Sequence, residues 1–130
     1  MSKRKVKVLV STGTALEFFK RAHADAKKMD RGELLPPEVR VTFEDPIEML
    51  HALSVERMKV IKTVQKHHGA KPTVSKLAVM LKRDRKAVSR DVKVLESFGL
   101  LKTREEANPG HGIMKVVEPL ADKYHFTAII

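Results

Sequence analysis

Pro72-Thr-Val-Ser-Lys-Leu-Ala-Val-Met-Leu-Lys-Arg-Asp-Arg-Lys-Ala-Val-Ser-Arg-Asp-Val-Lys-Val-Leu-Glu-Ser-Phe-Gly-Leu-Leu101 decides how this chain folds. Val74, Leu77, Ala78 and Leu81 recur at i, i+3, i+4 and i+7, one face of a helix opened by Pro72-Thr73. Lys82-Arg83-Asp84 reads as a tight corner, with Asp84 a good N-cap for a second helix. That second helix turns Val88, Val92 and Leu95 inward, and Gly99 supplies the left-handed residue that ends it. Lys86, Ser89, Arg90 and Lys93 repeat the same spacing on the opposite side, so one face can pack while a cationic, hydroxyl-bearing stripe stays free.

Upstream, Ser54 precedes a helix with Met58, Ile61 and Val64 inward, ending near His68-Gly69. Downstream, Leu100 to about Glu106 and Ile113 to about Glu118 read as strands joined by the turn Asn108-Pro-Gly-His-Gly112. Three helices, a tight corner between the second and third, and a β-hairpin predict a winged helix-turn-helix over residues 54–119.

Charge supports that stretch as a site. The chain of 130 residues carries a formal net charge of +10. Between Arg57 and Lys93 there are 12 Lys and Arg but only Asp84 and Asp91 as acids, while the remainder is balanced. A basic surplus confined to one segment is the footprint of a polyanion-binding surface, although a solvated lysine-rich helix surface has the same composition. Recognition helices read base edges with their N-terminal residues, which puts Arg85, Lys86, Ser89 and Arg90 foremost. Thr73, Ser75, Lys76, Arg83 and Lys93 are placed to hold the DNA backbone, and Lys102, Arg104, His111 and Lys115 lie on or near the wing. Asp91 is expected to orient Arg90 or Lys62, or merely to aid solubility.

Residues 1–53 read differently. Lys5-Val-Lys-Val-Leu-Val10 is a strand, and Ser11-Thr-Gly-Thr14 is a turn and N-cap. Ala15, Leu16, Phe19, Ala22 and Ala26 then follow helical spacing to about Met29. Arg31-Gly32 stops that helix, Leu34-Leu-Pro-Pro37 is a rigid connector, Val39 to Phe43 alternates as a second strand, and Asp45-Pro46 opens a short helix through about Leu53. A strand-helix-strand extension of this kind could pair in parallel, but two strands alone are marginal. The apolar, β-prone tail at residues 120–130 is the natural source of a further strand, within the chain or in a dimer contact. The overall expectation is an α+β protein whose extension serves dimerisation or partner binding.

Several classes are set aside. The chain has no cysteine, which excludes disulfides, thiolate zinc sites and a thiol nucleophile. Its longest apolar run, Leu77 to Leu81, is far short of a bilayer span, and the apolar part of the start is too short for a signal-peptide core. A soluble cytoplasmic protein without a membrane partner is expected. His67-His68 lacks further ligands at metal spacing, and Ser11-Thr-Gly-Thr14 lacks the Gly-Lys-Ser/Thr ending of a phosphate loop. Glu44-Asp45 and Glu105-Glu106 are adjacent on strands, so their side chains point to opposite faces. The reading is therefore of a non-enzyme without metal or cofactor. At 5% aromatics there are few stacking platforms, which favours double-stranded DNA over RNA.

Thr73-Val-Ser75, Leu77-Ala78, Val88-Ser-Arg-Asp-Val92, Leu95-Glu96 and Gly99-Leu-Leu101 together resemble the centre of winged-helix bacterial and archaeal regulators of the broad MarR type. Arg40-Val-Thr-Phe-Glu-Asp-Pro-Ile-Glu-Met-Leu50, followed by Leu53-Ser-Val-Glu-Arg-Met58, is similar to a subgroup of small predicted regulators, some of which look like antitoxins. The resemblance covers about residues 40–119. It implies a sequence-specific transcription regulator whose third helix enters the major groove, with the wing beside it, working as a homodimeric repressor of its own operon. The alternative it implies is an antitoxin that neutralises a protein toxin and represses the operon encoding both.

Overall fold

A computed structural model describes residues 7–35 and 38–128, apart from the side chain of Ala15. Lys5 and Val6 of the expected first strand, Pro36-Pro37 of the connector and Ile129-Ile130 of the tail lie outside the described residues. The elements are β1 (Lys7–Thr12), α1 (Ala15–Asp30), β2 (Glu38–Phe43), α2 (Pro46–Ala52), α3 (Val55–His67), a 3-10 turn (His68–Ala70), α4 (Val74–Leu81), α5 (Arg85–Ser97), β3 (Leu101–Ala107), β4 (Ile113–Pro119) and β5 (Lys123–Thr127). The architecture is mixed α+β and divides into two compact units. One holds the chain up to His51 together with Ala121 onward; the other is Ala52–Leu120. Among the described residues no helix is long and apolar enough to cross a membrane.

The discontinuous unit is built on a parallel sheet of order β2-β1-β5. Val8 aligns with Val39 and Tyr124, and Val10 with Val41 and Phe126. Aligned residues of parallel strands share a face, so these side chains form one apolar layer. Val8 and Val10 are its buried centre, and the Tyr124 and Phe126 rings stack with centroids 6.3 Å apart. The tail thus contributes the third strand within its own chain.

The turn after β1 is closed by α1 itself. Thr14 Oγ1 accepts from the Glu17 amide at 3.2 Å, and Glu17 Oε2 accepts from the Thr14 amide at 3.0 Å, a reciprocal capping box. The Glu17 carboxylate occupies the position an anion would take, and a Cβ on Gly13 would lie 2.8 Å from it. α1 departs from expectation in its burial. Leu16, Phe19 and Met29 are 63%, 66% and 63% exposed. Periodicity identifies an apolar face but not the surface that covers it.

In the second unit three helices and a hairpin enclose one core, with Val60, Ile61 and Val64 from α3, Leu77 and Ala78 from α4, and Val88, Val92 and Leu95 from α5. Leu101, Val116 and Val117 of the hairpin join them. Each helix starts on a side-chain cap: Ser54 Oγ accepts from Arg57 N, Thr73 Oγ1 from Lys76 N, and Asp84 Oδ2 from Lys86 N. Lys82 turns the corner between α4 and α5 in the left-handed conformation, at φ 53°. Gly99 does the same after α5, where Leu100 N–H donates to Leu95 O and Gly99 N–H to Glu96 O, both at 2.9 Å, a Schellman stop. β3 and β4 pair antiparallel from Leu101↔Pro119 to Ala107↔Ile113, and Val117 N–H donates to Pro72 O at 2.8 Å, tying the hairpin to the start of α4.

The inward phase of α3 differs from the expected one. Met58 is 40% exposed and Val60 is fully buried. Both choices put Ile61 and Val64 inside, and only packing against α4 and α5 distinguishes them. Val60→Ala is expected to cost about 2 kcal/mol, from buried methyl groups at ~0.8 kcal/mol each plus a cavity term. Met58→Ala should stay within about 0.5 kcal/mol. Urea denaturation of both variants checks this, and the reverse order would place α3 in the other phase.

Candidate nucleic-acid interface

α5 presents two unlike sides because its apolar residues follow the helical period. Val88, Asp91, Val92 and Leu95 are buried, so at ~100° per residue Lys86, Arg90 and Lys93 turn outward and Arg85 and Ser89 lie at one flank. That flank lines an open groove of about 940 Å³ running between the start of α4, the length of α5 and the hairpin. Thr73, Ser75 and Lys76 form one wall, Arg85, Ser89 and Lys93 another, and Lys115 lies on the hairpin side. The expected stripe is therefore divided. Arg85, Ser89 and Lys93 face the groove, while Lys86 and Arg90 stand on the surface beside it. Among the described residues none of Lys76, Arg85, Lys86, Arg90, Lys93 and Lys115 forms an ion pair.

Three other expected contacts are engaged elsewhere. Arg83 points inward, with Nη1 2.8 Å from Asp91 Oδ2 and Nε 3.6 Å from Glu56 Oε2. Arg104 bonds Glu118 through Nε and Glu106 through Nη1, the latter at 2.6 Å. Lys102 Nζ lies 3.7 Å from Glu118. Lys102 is opposite Glu118 in the hairpin register, so cross-strand pairing neutralises the hairpin shaft. His111 and Lys115, nearer the tip, are exposed. The tip holds its shape through His111 N–H donating to Asn108 O and Asn108 N–H to Gly112 O, each at 2.8 Å.

Asp91 pairs with neither Arg90 nor Lys62. It lies on the inward face, one turn after Val88, and its carboxylate takes Arg57 Nε at 3.2 Å as well as Arg83. Thr103, Asn108, Met114 and Glu96 also line the groove, and none was expected there. Glu96 had a legible signal, since it continues the Ser89 and Lys93 face by one more turn. No group of three or more His, Asp or Glu that could hold a metal occurs among the described residues, His67 and His68 included.

A hydrogen bond from Lys71, followed by one from Arg104, holds the Glu106 carboxyl below the ordinary carboxylate range, and the bonds that Arg104 donates to Glu118 and Glu106 raise its guanidinium further.

A family model described as HVO_A0114 matches residues 52–115 of the chain. Among solved structures, the chain is similar to one from Methanosarcina mazei Go1 named a possible transcriptional regulator, with 23% sequence identity and a TM-score of 0.49. That match covers 60% of this chain and 65% of the other. A search of curated proteins gives no match.

Because the folded Glu106 is depressed, its pairing stabilises the hairpin above the ordinary carboxylate pKa and is lost as pH falls through the folded value. An NMR titration of the Glu106 side chain should give a midpoint below the reference value of 4.5. Lys71→Met should raise that midpoint, and an unmoved midpoint would remove Lys71 as the principal cause.

Proposed function

We propose that Ala52–Leu120 is a winged helix-turn-helix that binds double-stranded DNA through α5, and that the chain is a transcription regulator. The observation that carries this reading is the division of α5: a packed apolar face on one side, and on the other cations and hydroxyls along a groove shared with the start of α4 and the hairpin. A helix is about 10–12 Å across and the B-DNA major groove about 12 Å wide, so α5 fits with its N-terminal turns foremost. Arg85, Lys86, Ser89 and Arg90 would meet base edges. Thr73, Ser75, Lys76 and Lys93 would hold phosphates, with His111 and Lys115 reaching the flanking backbone or minor groove. Arg83, Lys102 and Arg104, engaged with carboxylates, take no part in this assignment.

Fluorescence anisotropy on a duplex from the gene's own upstream region, beside a scrambled duplex and across a salt series, tests the reading. A preference for the native duplex that survives physiological salt is expected. Equal binding that collapses with salt would reduce the site to counterion release. Arg90→Ala should cost about 1–3 kcal/mol on the preferred duplex and relax selectivity at one base pair, whereas Lys76→Ala should weaken both duplexes alike.

The regulator acts, in this reading, as a homodimer that represses its own operon, matching two-fold protein symmetry to a pseudo-palindromic site. The exposed Leu16, Phe19 and Met29 of α1 are the surface offered for the second copy. Light scattering of the full chain should report a dimer that Phe19→Glu reduces to a monomer. A monomeric parent chain would assign α1 to a different protein partner, the toxin of an antitoxin pair being the alternative that the sequence resemblance implies.

A further inference from the structure

Asp91 is the one charged residue among the described residues that is buried, at 8% exposure. A carboxylate in such a place needs compensating partners, and Asp91 receives two arginines on its two oxygens from two different elements. Arg57 Nε, from α3, lies 3.2 Å from Oδ1, and Arg83 Nη1, from the corner before α5, lies 2.8 Å from Oδ2. Arg57 also donates from Nη1 to Ala52 O at 3.1 Å, and Arg83 Nε has Glu56 at 3.6 Å. Two arginines thus converge on one buried carboxylate on the inward side of a helix whose outward side is strongly basic, and the half-exposed Glu56 at the edge is shared between Arg83 and Lys59.

The consequence is twofold. Apolar contacts tolerate sliding and small rotations, whereas hydrogen bonds to both oxygens of one carboxylate do not. Burial of Val88, Val92 and Leu95 decides which face of α5 turns inward; small rotations within that packing would break these bonds, so the cluster sets the finer direction of Arg85, Ser89 and Arg90. Arg83 also stands immediately before the α5 N-cap, Asp84. Released from Asp91, its guanidinium would extend beside the phosphate track assigned to Thr73, Ser75 and Lys76 and add affinity that carries no sequence information.

We infer that Asp91 is a positioning residue for selectivity: it keeps Arg83 off the DNA backbone and holds α5 in the orientation that reads bases. The inference rests on the DNA-binding reading above and adds to it the reason an acid sits in the middle of the recognition helix.

The test uses the full chain, the same two duplexes and the same salt series, with Arg83→Gln and Asp91→Asn compared with the parent. Arg83→Gln should leave the slope of log K against log salt unchanged while lowering the preference for the native duplex several-fold. Asp91→Asn should lower that preference further and steepen the slope by about 0.9 as Arg83 gains a phosphate. A slope flattened by about 0.9 in Arg83→Gln would show Arg83 already on a phosphate and overturn the inference. So would an unchanged preference in both variants. Circular dichroism reports folding; if Asp91→Asn does not fold, the slope and preference of Arg83→Gln decide alone. A parent chain that binds neither duplex at the lowest salt overturns the DNA reading and this inference with it, whereas failure of the variants alone overturns only the role of Asp91.

Discussion

α5 cannot turn on its axis without exposing Val88, Val92 and Leu95, and this constraint determines where every charged side chain on the helix points. Burial of each such side chain contributes about 1.5–3 kcal/mol, which far exceeds what an exposed ion pair of about 0–1 kcal/mol could gain by reorienting the helix. The cations therefore take what the apolar face leaves to them. The caps at Thr73 and Asp84 and the stop at Gly99 then fix where the helices begin and end, and the bond from Val117 to Pro72 sets the hairpin beside them.

Formal charge and available charge are different quantities in this fold. The segment from Arg57 to Lys93 is the basic part of the sequence, yet Arg57 and Arg83 are held by Asp91, Lys59 lies near Glu56, and Lys71 is bonded to Glu106. On the hairpin the same cancellation removes Lys102 and Arg104. Among the described residues of this unit, the lysines and arginines outside such pairs are those along α5, Lys76 at the start of α4 and Lys115 on the hairpin, with Lys62 and Lys66 on α3 and Lys82 at the corner, so the field is narrower than composition suggests. A ligand approaching from afar would feel the net charge, but close contact would involve only these residues.

What was legible in the sequence was local. Ser54, Thr73, Asp84 and Gly99 act within a few residues of themselves, and each stands where its chemistry predicts. The period of α5 separated core from surface because its apolar and charged residues mix only at Asp91. α3 offered no such separation: Met58 and Val60 are both apolar, and the choice between them belongs to α4 and α5. Asp91 and Arg83 lie eight residues apart and Arg104 meets Glu118 across the hairpin, so reading cations singly assigns Arg83 and Arg104 to DNA without their carboxylate partners. The exposed face of α1 is the same lesson in reverse, since an amphipathic pattern records a need for cover and not its source.

The parallel sheet aligns Lys7 with both Glu38 and Lys123, so its central strand has one partner close in sequence and another that comes only after the helices and hairpin have been passed. During synthesis β1 and β2 leave the ribosome as an incomplete pair, and β5 emerges only after the whole of Ala52–Leu120. Closing that long loop carries an entropic cost that grows only slowly with its length. The topology therefore makes the sheet depend on the inserted unit, since β5 can reach β1 only after the chain has passed through Ala52–Leu120.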